Sequence, residues 1–320
     1  MFLRPECVPE HTLRQRPPPR RSTRARVAAR PNHGGRLAGI LFATHGGSSA
    51  DGAGRVAALL AQRCGTSLRT VCVLEPLPDM DSGYGTSYLP SSAEAKTLRD
   101  ALRASVAEQM LRCGISGSPE VQDGPAASEI ASAARVPAAD VIVLGLGPHH
   151  LLDRALGHET ALQLVRLAST PVLAVPAAMA SLPRRVVVAM DFSPTCIASA
   201  RLCANGLVPG DVLQLGHVTS ARHGGMSPES RVAQCALAVI ATQVPAPDGV
   251  TVEQIVVEGA PAAQLLDLAA ARNADLIALG SHGYGIWKRL TIGSVASRVI
   301  RLSPIAVLVT PIGSLAIAPA

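Results

Sequence analysis

Aromatic residues are almost missing from this chain: three Phe, three Tyr and one Trp among 320 residues. Proteins that hold single-stranded nucleic acid stack bases on aromatic side chains, so the scarcity argues against that role. No run approaches the roughly 18 apolar residues needed to span a bilayer. The most apolar stretch outside the candidate strands, Ala174 to Leu182, is short and interrupted by Pro176. Seven cysteines are scattered with no C-x-x-C pair, which reads as reduced, buried thiols in a cytoplasmic protein and not as a disulfide or zinc framework. There is no G-x-x-x-x-G-K-[ST] loop, which excludes a P-loop ATPase. No G-x-G fingerprint follows the first strand of either half, after Phe42 or Val188, as a dinucleotide fold would need. Ser281 and His282 are chain neighbours and cannot form a nucleophile–base–orienter triad.

What is abundant is aliphatic. Ala, Val, Leu and Ile dominate a hydrophobic fraction of 48%, as expected where strands are covered by helices on both faces. The length suits about two domains. Charge is uneven: nine of the 29 basic and two of the 23 acidic residues precede Leu37. The remainder is close to neutral. Residues 1–36, with Arg16 to Arg21 reading RPPPRR, are too polar to bury a core and are expected to be a disordered Arg/Pro-rich tail. Such a segment can attract nucleic acid or acidic membranes; the simpler reading is a solvated extension or a start placed too far upstream. It has no apolar signal-peptide core, though its arginines superficially suggest an organelle transit peptide.

The body repeats itself. Leu37 to His45 corresponds to Arg185 to Asp191, DVIVLG at Asp140 to DLIALG at Asp275, and PVLAV at Pro171 to PIAVLVT at Pro304. Second strands are expected at Leu68 to Leu74 and Asp211 to Val218, and thirds around Val121 and over Thr251–Glu258. Helices over Ala126–Arg135 and Ala260–Arg272 precede the fourth strands. Strands alternating with helices indicate parallel βαβ units. A period of about 135–145 residues is too long for a solenoid and marks a domain duplication. The expected domains are 37–176 and 184–312, joined by a short, poorly structured linker, Pro176 to Pro183.

The strongest motif lies near the C-terminus. Gly280 is followed by two residues and Gly283, then nine residues and Gly293-Ser294, between the strand Asp275 to Leu279 and a helix over Ser294 to Leu302. Glycines there permit close approach to a ligand. Amides of Gly293, Ser294 and Val295 at a helix N-terminus attract phosphate, and Ser294 adds a hydroxyl. At the other end of this half, a strand ends at Asp191, with Ser193 as helix N-cap and Pro194 at the first helical position.

The spacing G-x2-G-x9-G-[ST], the aspartate ending the first strand and the proline-led fifth strand resemble the universal stress protein family. The resemblance implies two tandem open five-stranded parallel-sheet α/β sandwiches, related to the adenine-nucleotide alpha hydrolases. It also implies ATP, with or without magnesium, at Ala189, Asp191, Val218, Gly280, His282, Gly283, Gly293, Ser294 and Val295. Family members commonly dimerise through their fifth strands. The resemblance implies that pairing within this chain, with room for a homodimer or a further protein partner.

The first half departs from the pattern. His45 stands at the aspartate position, Pro148 at the second glycine, eight residues separate it from Gly157, and His158 replaces the serine or threonine. Proline removes an amide and fixes φ, so this half is expected to support the other without nucleotide. His149, His150, Asp153 and His158 lack a recognised metal-ligand spacing and read as a solvated loop. His282 is read as exposed beside the ligand, without a partner base to make it catalytic. Trp287 and Tyr284 either cover the site or pack the loop; Lys288 and Arg289 either neutralise phosphate or are solvated. The expected function is nucleotide-dependent regulation under stress, without dedicated catalysis. The alternatives are a nucleotide-free interaction protein and, more remotely, a slow ATPase or autophosphorylating enzyme.

Overall fold

The computed structural model describes residues 37–75, 92–146, 157–220, 228–281 and 292–316. The first half runs β1 (Gly39–Ala43), α1 (Asp51–Cys64), β2 (Ser67–Leu74), α2 (Ser92–Arg112), β3 (Glu120–Asp123), α3 (Ala126–Ala133), β4 (Val141–Leu146), α4 (Gly157–Leu167) and β5 (Val172–Pro176). The second repeats the order as β6 (Arg185–Ala189), α5 (Pro194–Gly206), β7 (Val212–Thr219), α6 (Pro228–Gln243), β8 (Thr251–Glu258), α7 (Pro261–Ala271), β9 (Leu276–Gly280), α8 (Ser294–Leu302) and β10 (Ala306–Thr310).

Within each half every strand pairing is parallel. The halves join where β5 and β10 pair antiparallel, Val172 opposite Val309, Leu173 opposite Leu308 and Ala174 opposite Val307. One ten-stranded sheet results, ordered β3-β2-β1-β4-β5-β10-β9-β6-β7-β8. Pro171 and Pro304 precede the paired residues, so neither proline interrupts the ladder.

The aliphatic runs explain the layers. Successive strand residues point to opposite faces: Val186 and Val188 enter the core beneath α1, α2, α5 and α6, while Val187 enters the core beneath α3, α4, α7 and α8. Both cores continue across the β5–β10 seam. Each fully buried Leu or Ile there contributes about 1.5–3 kcal/mol by removal from water.

The repeated aspartates before β4 and β9 have a structural reason. Asp140 accepts from the amides of Ala38 and Gly39, and Asp275 from those of Arg184 and Arg185, each of these last two at 2.9 Å. Each carboxylate therefore fixes the entry of the first strand of its half.

The linker differs from expectation. Met179 N–H closes a turn on the Pro176 carbonyl at 3.1 Å, and Arg55 donates to the carbonyls of Ala177 (3.0 Å) and Met179 (3.4 Å). Leu182 is buried. A side chain on Gly52 would meet the Pro176 oxygen at 2.1 Å, so α1 is bare where the linker crosses it. Two prolines made the segment look unstructured; Arg55, far away in sequence, orders it.

Candidate functional site

The site grows from the end of β6. Met190 N–H donates to the Gly216 carbonyl at 2.8 Å, extending the β6–β7 register past the strand. Asp191 follows, then Phe192 at φ 63°, an uncommon left-handed conformation for a bulky residue. Ser193 caps α5, its hydroxyl accepting from Cys196 N–H, and Pro194 occupies the first turn. Asp191 Oδ1 accepts from Ser193 N–H at 3.0 Å and from its hydroxyl at 2.5 Å. The carboxylate is thereby oriented by the turn it belongs to.

Because β9 lies between β6 and β10, the C-terminal ends of β6, β7 and β9 lie side by side. The chain passes from β9 into α8 and from β8 into α7. A cavity of about 250 Å³ opens there. Ala189, Asp191, Val218, Gly280, Gly293, Ser294 and Val295, all singled out in the sequence, line it. His282 and Gly283 lie outside the described residues, as do Tyr284, Trp287, Lys288 and Arg289. So do His149, His150 and Asp153 of the first half.

Two glycines leave space where strands meet helices. A Cβ on Gly280 would sit 2.3 Å from the Thr195 hydroxyl, and one on Gly216 would sit 2.9 Å from Leu268. Both positions need glycine for proximity, since neither has positive φ.

The helix starts supply the polar groups. α8 begins at Ser294 with Gly293 as N-cap (φ −60°, ψ 146°) and no side-chain cap. Gly293 N–H donates to the Ser281 carbonyl at 2.8 Å, while Ser281 N–H donates to the Thr310 carbonyl at 2.9 Å. The Gly293 amide is therefore committed to the loop, contrary to its expected place among the phosphate donors. The amides of Ser294, Val295 and Ala296 remain in the first turn, where no preceding helical carbonyl serves them. α7 also starts at the cavity, with Pro261 at its first position and no side-chain cap at Ala260. Two positive helix ends thus converge on one space.

Sequence reasoning missed Met190, Gly216, His217, Pro261, Leu265, Leu279, Ser281 and Ala296, which also line the cavity. A helix is expected over Ala260–Arg272, but its place at this cavity follows from the strand order and not from its own residues. Asp191 and His217 are the ionisable side chains of the described wall. His217 Nδ1 is 2.6 Å from the Met190 carbonyl, and its ring lies 4.5 Å from that of Phe192. The wall therefore offers an anion backbone dipoles and a hydroxyl. The chemistry these groups suit is anion binding.

The corresponding turn of the first half keeps the backbone and changes the chemistry. Gly46, at φ 86°, matches Phe192, and a Cβ on Gly145 would sit 2.8 Å from Ala50, as Gly280 does against Thr195. His45 stands exposed at the aspartate position. Gln109 of α2 is fully buried, accepting from the Thr44 hydroxyl (2.6 Å) and donating to the Gly47 carbonyl (2.8 Å) and Asp51 (2.9 Å). This side chain closes the turn with internal partners.

Among the described residues no three His, Cys, Asp or Glu side chains are grouped to hold a metal, and no helix is long and apolar enough to cross a membrane. Of the six described cysteines, Cys72, Cys113, Cys196 and Cys203 are buried, Cys64 partly so, and Cys235 exposed. Burial pushes the thiols of Cys196 and Cys203 up to about 12 and that of Cys72 up to about 11, which keeps them protonated and unreactive.

The fold and the cavity define a tandem α/β protein of the open-sheet class, with its candidate site at the carboxyl ends of parallel strands. The model of the universal stress protein family matches residues 39–176 and again 183–311, so the chain belongs to that family, as a tandem member. It is 38% identical over 91 residues to universal stress protein Sll1654 of a Synechocystis strain, a match spanning 28% of this chain and 55% of that relative. In structure it resembles a universal stress protein from Archaeoglobus fulgidus, with a TM-score of 0.61 and 22% identity, covering 85% of this chain and 96% of the other. A protein of unknown function from Pseudomonas aeruginosa superposes with a TM-score of 0.57 and 16% identity, covering 88% and 95%. These last two likenesses speak to fold alone.

Proposed function

We propose that the second half binds one adenine mononucleotide, ATP, and that the protein acts as a nucleotide-dependent regulator in the stress response. The observation that carries this reading is the convergence of Asp191 and the N-termini of α7 and α8 on a single cavity. The base would occupy the apolar part, among Ala189, Val218, Pro261 and Leu265. Asp191, oriented by Ser193, would accept from ribose hydroxyls. The amides of Ser294, Val295 and Ala296, with the Ser294 hydroxyl, would receive phosphate oxygens.

Magnesium fits as an ion carried by the phosphates. Mg²⁺ keeps several waters and is held largely through substrate phosphates, so it would ride on the phosphates while Asp191, the carboxylate of the described wall, faces the ribose. The first half is assigned a supporting role, since His45 replaces the acceptor and Gln109 satisfies its turn internally. Regulation through occupancy suits a wall whose anion-binding groups are helix-start amides and a hydroxyl.

The test is extraction of nucleotide from protein purified mildly without added ligand, followed by chromatography. ATP or another adenine mononucleotide near one equivalent supports the reading. An empty protein that also fails to bind added ATP would favour a nucleotide-free interaction protein.

A further inference from the structure

A local two-fold axis relates the halves at the seam. Leu173 pairs with Val143 and Leu308 with Ala278, each partner being the third residue after Asp140 or Asp275, so the two leucines are equivalent. They also stand opposite each other across β5 and β10, and the flanking pairs Val172–Val309 and Ala174–Val307 exchange under the same rotation. α4 and α8, which lead into these strands, pack on each other across the axis. Their registers match: Ala161 and Ala296, Leu164 and Val299, and Val165 and Ile300 are buried. Both helices close alike, Ala168 N–H on the Leu164 carbonyl and Ser303 N–H on that of Val299. The same shift in numbering makes Arg166 the equivalent of Arg301, and Glu159, not His158, the equivalent of Ser294.

A contact made by one half across such an axis has a mate in the other. Arg301, in the last turn of α8, donates from Nη2 to Glu159 Oε1, in the first turn of α4, at 2.7 Å. Rotation carries this pair onto Arg166, in the last turn of α4, and Ser294, at the start of α8. The arginine is kept and the acid is not. In the first half the Glu159 carboxylate complements both the positive start of α4 and the guanidinium, and a phosphate there would meet a like charge. In the second half a short hydroxyl leaves that place open, and Ser294 belongs to the cavity wall. Arg166 is exposed, and no described carboxylate pairs with it. A phosphate oxygen accepting from the Ser294 hydroxyl at about 2.7–2.8 Å restores the reach that glutamate has over serine. It would stand where Glu159 presents its oxygen to Arg301.

We propose that Arg166 of the first half is a phosphate-binding residue of the nucleotide site in the second half, reaching across the seam to the phosphate held at Ser294. This rests on the assignment of that cavity to ATP. The first half then completes in its neighbour the site it has lost for itself. A guanidinium suits the task, being always charged and matching phosphate through parallel N–H donors.

The test compares ATP with adenosine by titration calorimetry on the full chain at low ionic strength. Arg166→Gln should lower ATP affinity about tenfold, the scale of one hydrogen bond to a charged group, and leave adenosine affinity unchanged. Arg166→Lys should recover part of the loss. Arg301→Gln, which removes the partner of Glu159, should leave ATP affinity unchanged. The geometry is read without nucleotide: Ser294→Glu should rebuild the mate of the Glu159–Arg301 pair, so urea unfolding should show coupling between Ser294→Glu and Arg166→Gln. Parent-like ATP affinity in a folded Arg166→Gln overturns the proposal and leaves the nucleotide reading standing. An equal loss for adenosine, or no coupling in the Ser294→Glu cycle, also overturns it. A parent that binds neither ATP nor adenosine overturns the proposal together with the reading beneath it.

Discussion

His217 Nδ1 lies 2.6 Å from the carbonyl oxygen of Met190, the residue immediately before Asp191. The same imidazole packs on Phe192, the residue immediately after it. Asp191 is thus held between two neighbours anchored by one side chain from the adjacent strand, and Phe192 stays in its left-handed conformation under that constraint.

The first prediction follows from this arrangement. Asp191→Ala should weaken ATP binding by about 1.5–3 kcal/mol, the scale of hydrogen bonds to a charged group. His217→Leu should weaken it less, and the double variant should cost less than the sum of the two. Titration calorimetry on all four proteins measures the cycle. Additive losses would mean that His217 does not act through Asp191; no loss in Asp191→Ala would remove the carboxylate from the site.

Gly293 gives a second prediction. At φ −60° and ψ 146° its backbone accommodates any residue, so Gly293→Val should fold normally. A branched side chain beside the Ser294 and Val295 amides should crowd phosphate and weaken ATP binding by about 1–3 kcal/mol. Gly157→Val, at the start of α4, should leave ATP binding unchanged. Parent-like affinity in Gly293→Val would make this loop a structural turn only.

Gly280 is different, because its constraint is packing. With Thr195 Oγ1 at 2.3 Å and Thr195 Cβ at 2.9 Å from the added carbon, Gly280→Ala should destabilise the fold by about 1–3 kcal/mol. Thr195→Ala in the same chain should recover part of the loss. Urea unfolding with an unchanged m-value measures both; an undisturbed Gly280→Ala would show that β9 and α5 yield freely.

A pH dependence follows from Arg69 and Glu120, paired across β2 and β3 at 2.9 Å. The Arg69 hydrogen bonds hold the Glu120 carboxyl below its ordinary 4.5. A depressed folded-state pKa means that the pair stabilises above about pH 4.5 and that this contribution is lost as pH falls through the folded-state value. The carboxylate is well exposed, so the effect is limited to about 1 kcal/mol or less. Glu120→Gln should lower stability by that amount at pH 7 and match the parent at pH 2–3. An equal difference at both pH values would contradict the assignment.

Much of the fold was legible because the physics behind it is local. β8 (Thr251–Glu258) and α8 (Ser294–Leu302) have the limits their residues announce, and strands buried on both faces show as uninterrupted Val/Ile/Leu runs. β3 was visible only around Val121 because it has four residues, EVQD, at a sheet edge with weak alternation. α2 had no clear limits because its 21 residues bury only Val106, Gln109 and Met110, leaving little apolar stripe to read. In the site, glycine spacing and the strand-end aspartate were visible. Pro261 and Leu265 were not, since the strand order alone brings them beside Asp191. Gly293 was misjudged in one respect: its motif is intact, but Ser281, twelve residues earlier, takes its amide.

The most direct test of the account is the stoichiometry of ATP binding by the full chain, measured by titration calorimetry with magnesium present. The account predicts one ATP per chain, lost in Asp191→Ala and retained in His45→Ala. Two ATP per chain would show that the first half binds as well despite His45 and Gln109. A parent protein that binds none would contradict the assignment of the cavity between β6, β7 and β9 to a nucleotide.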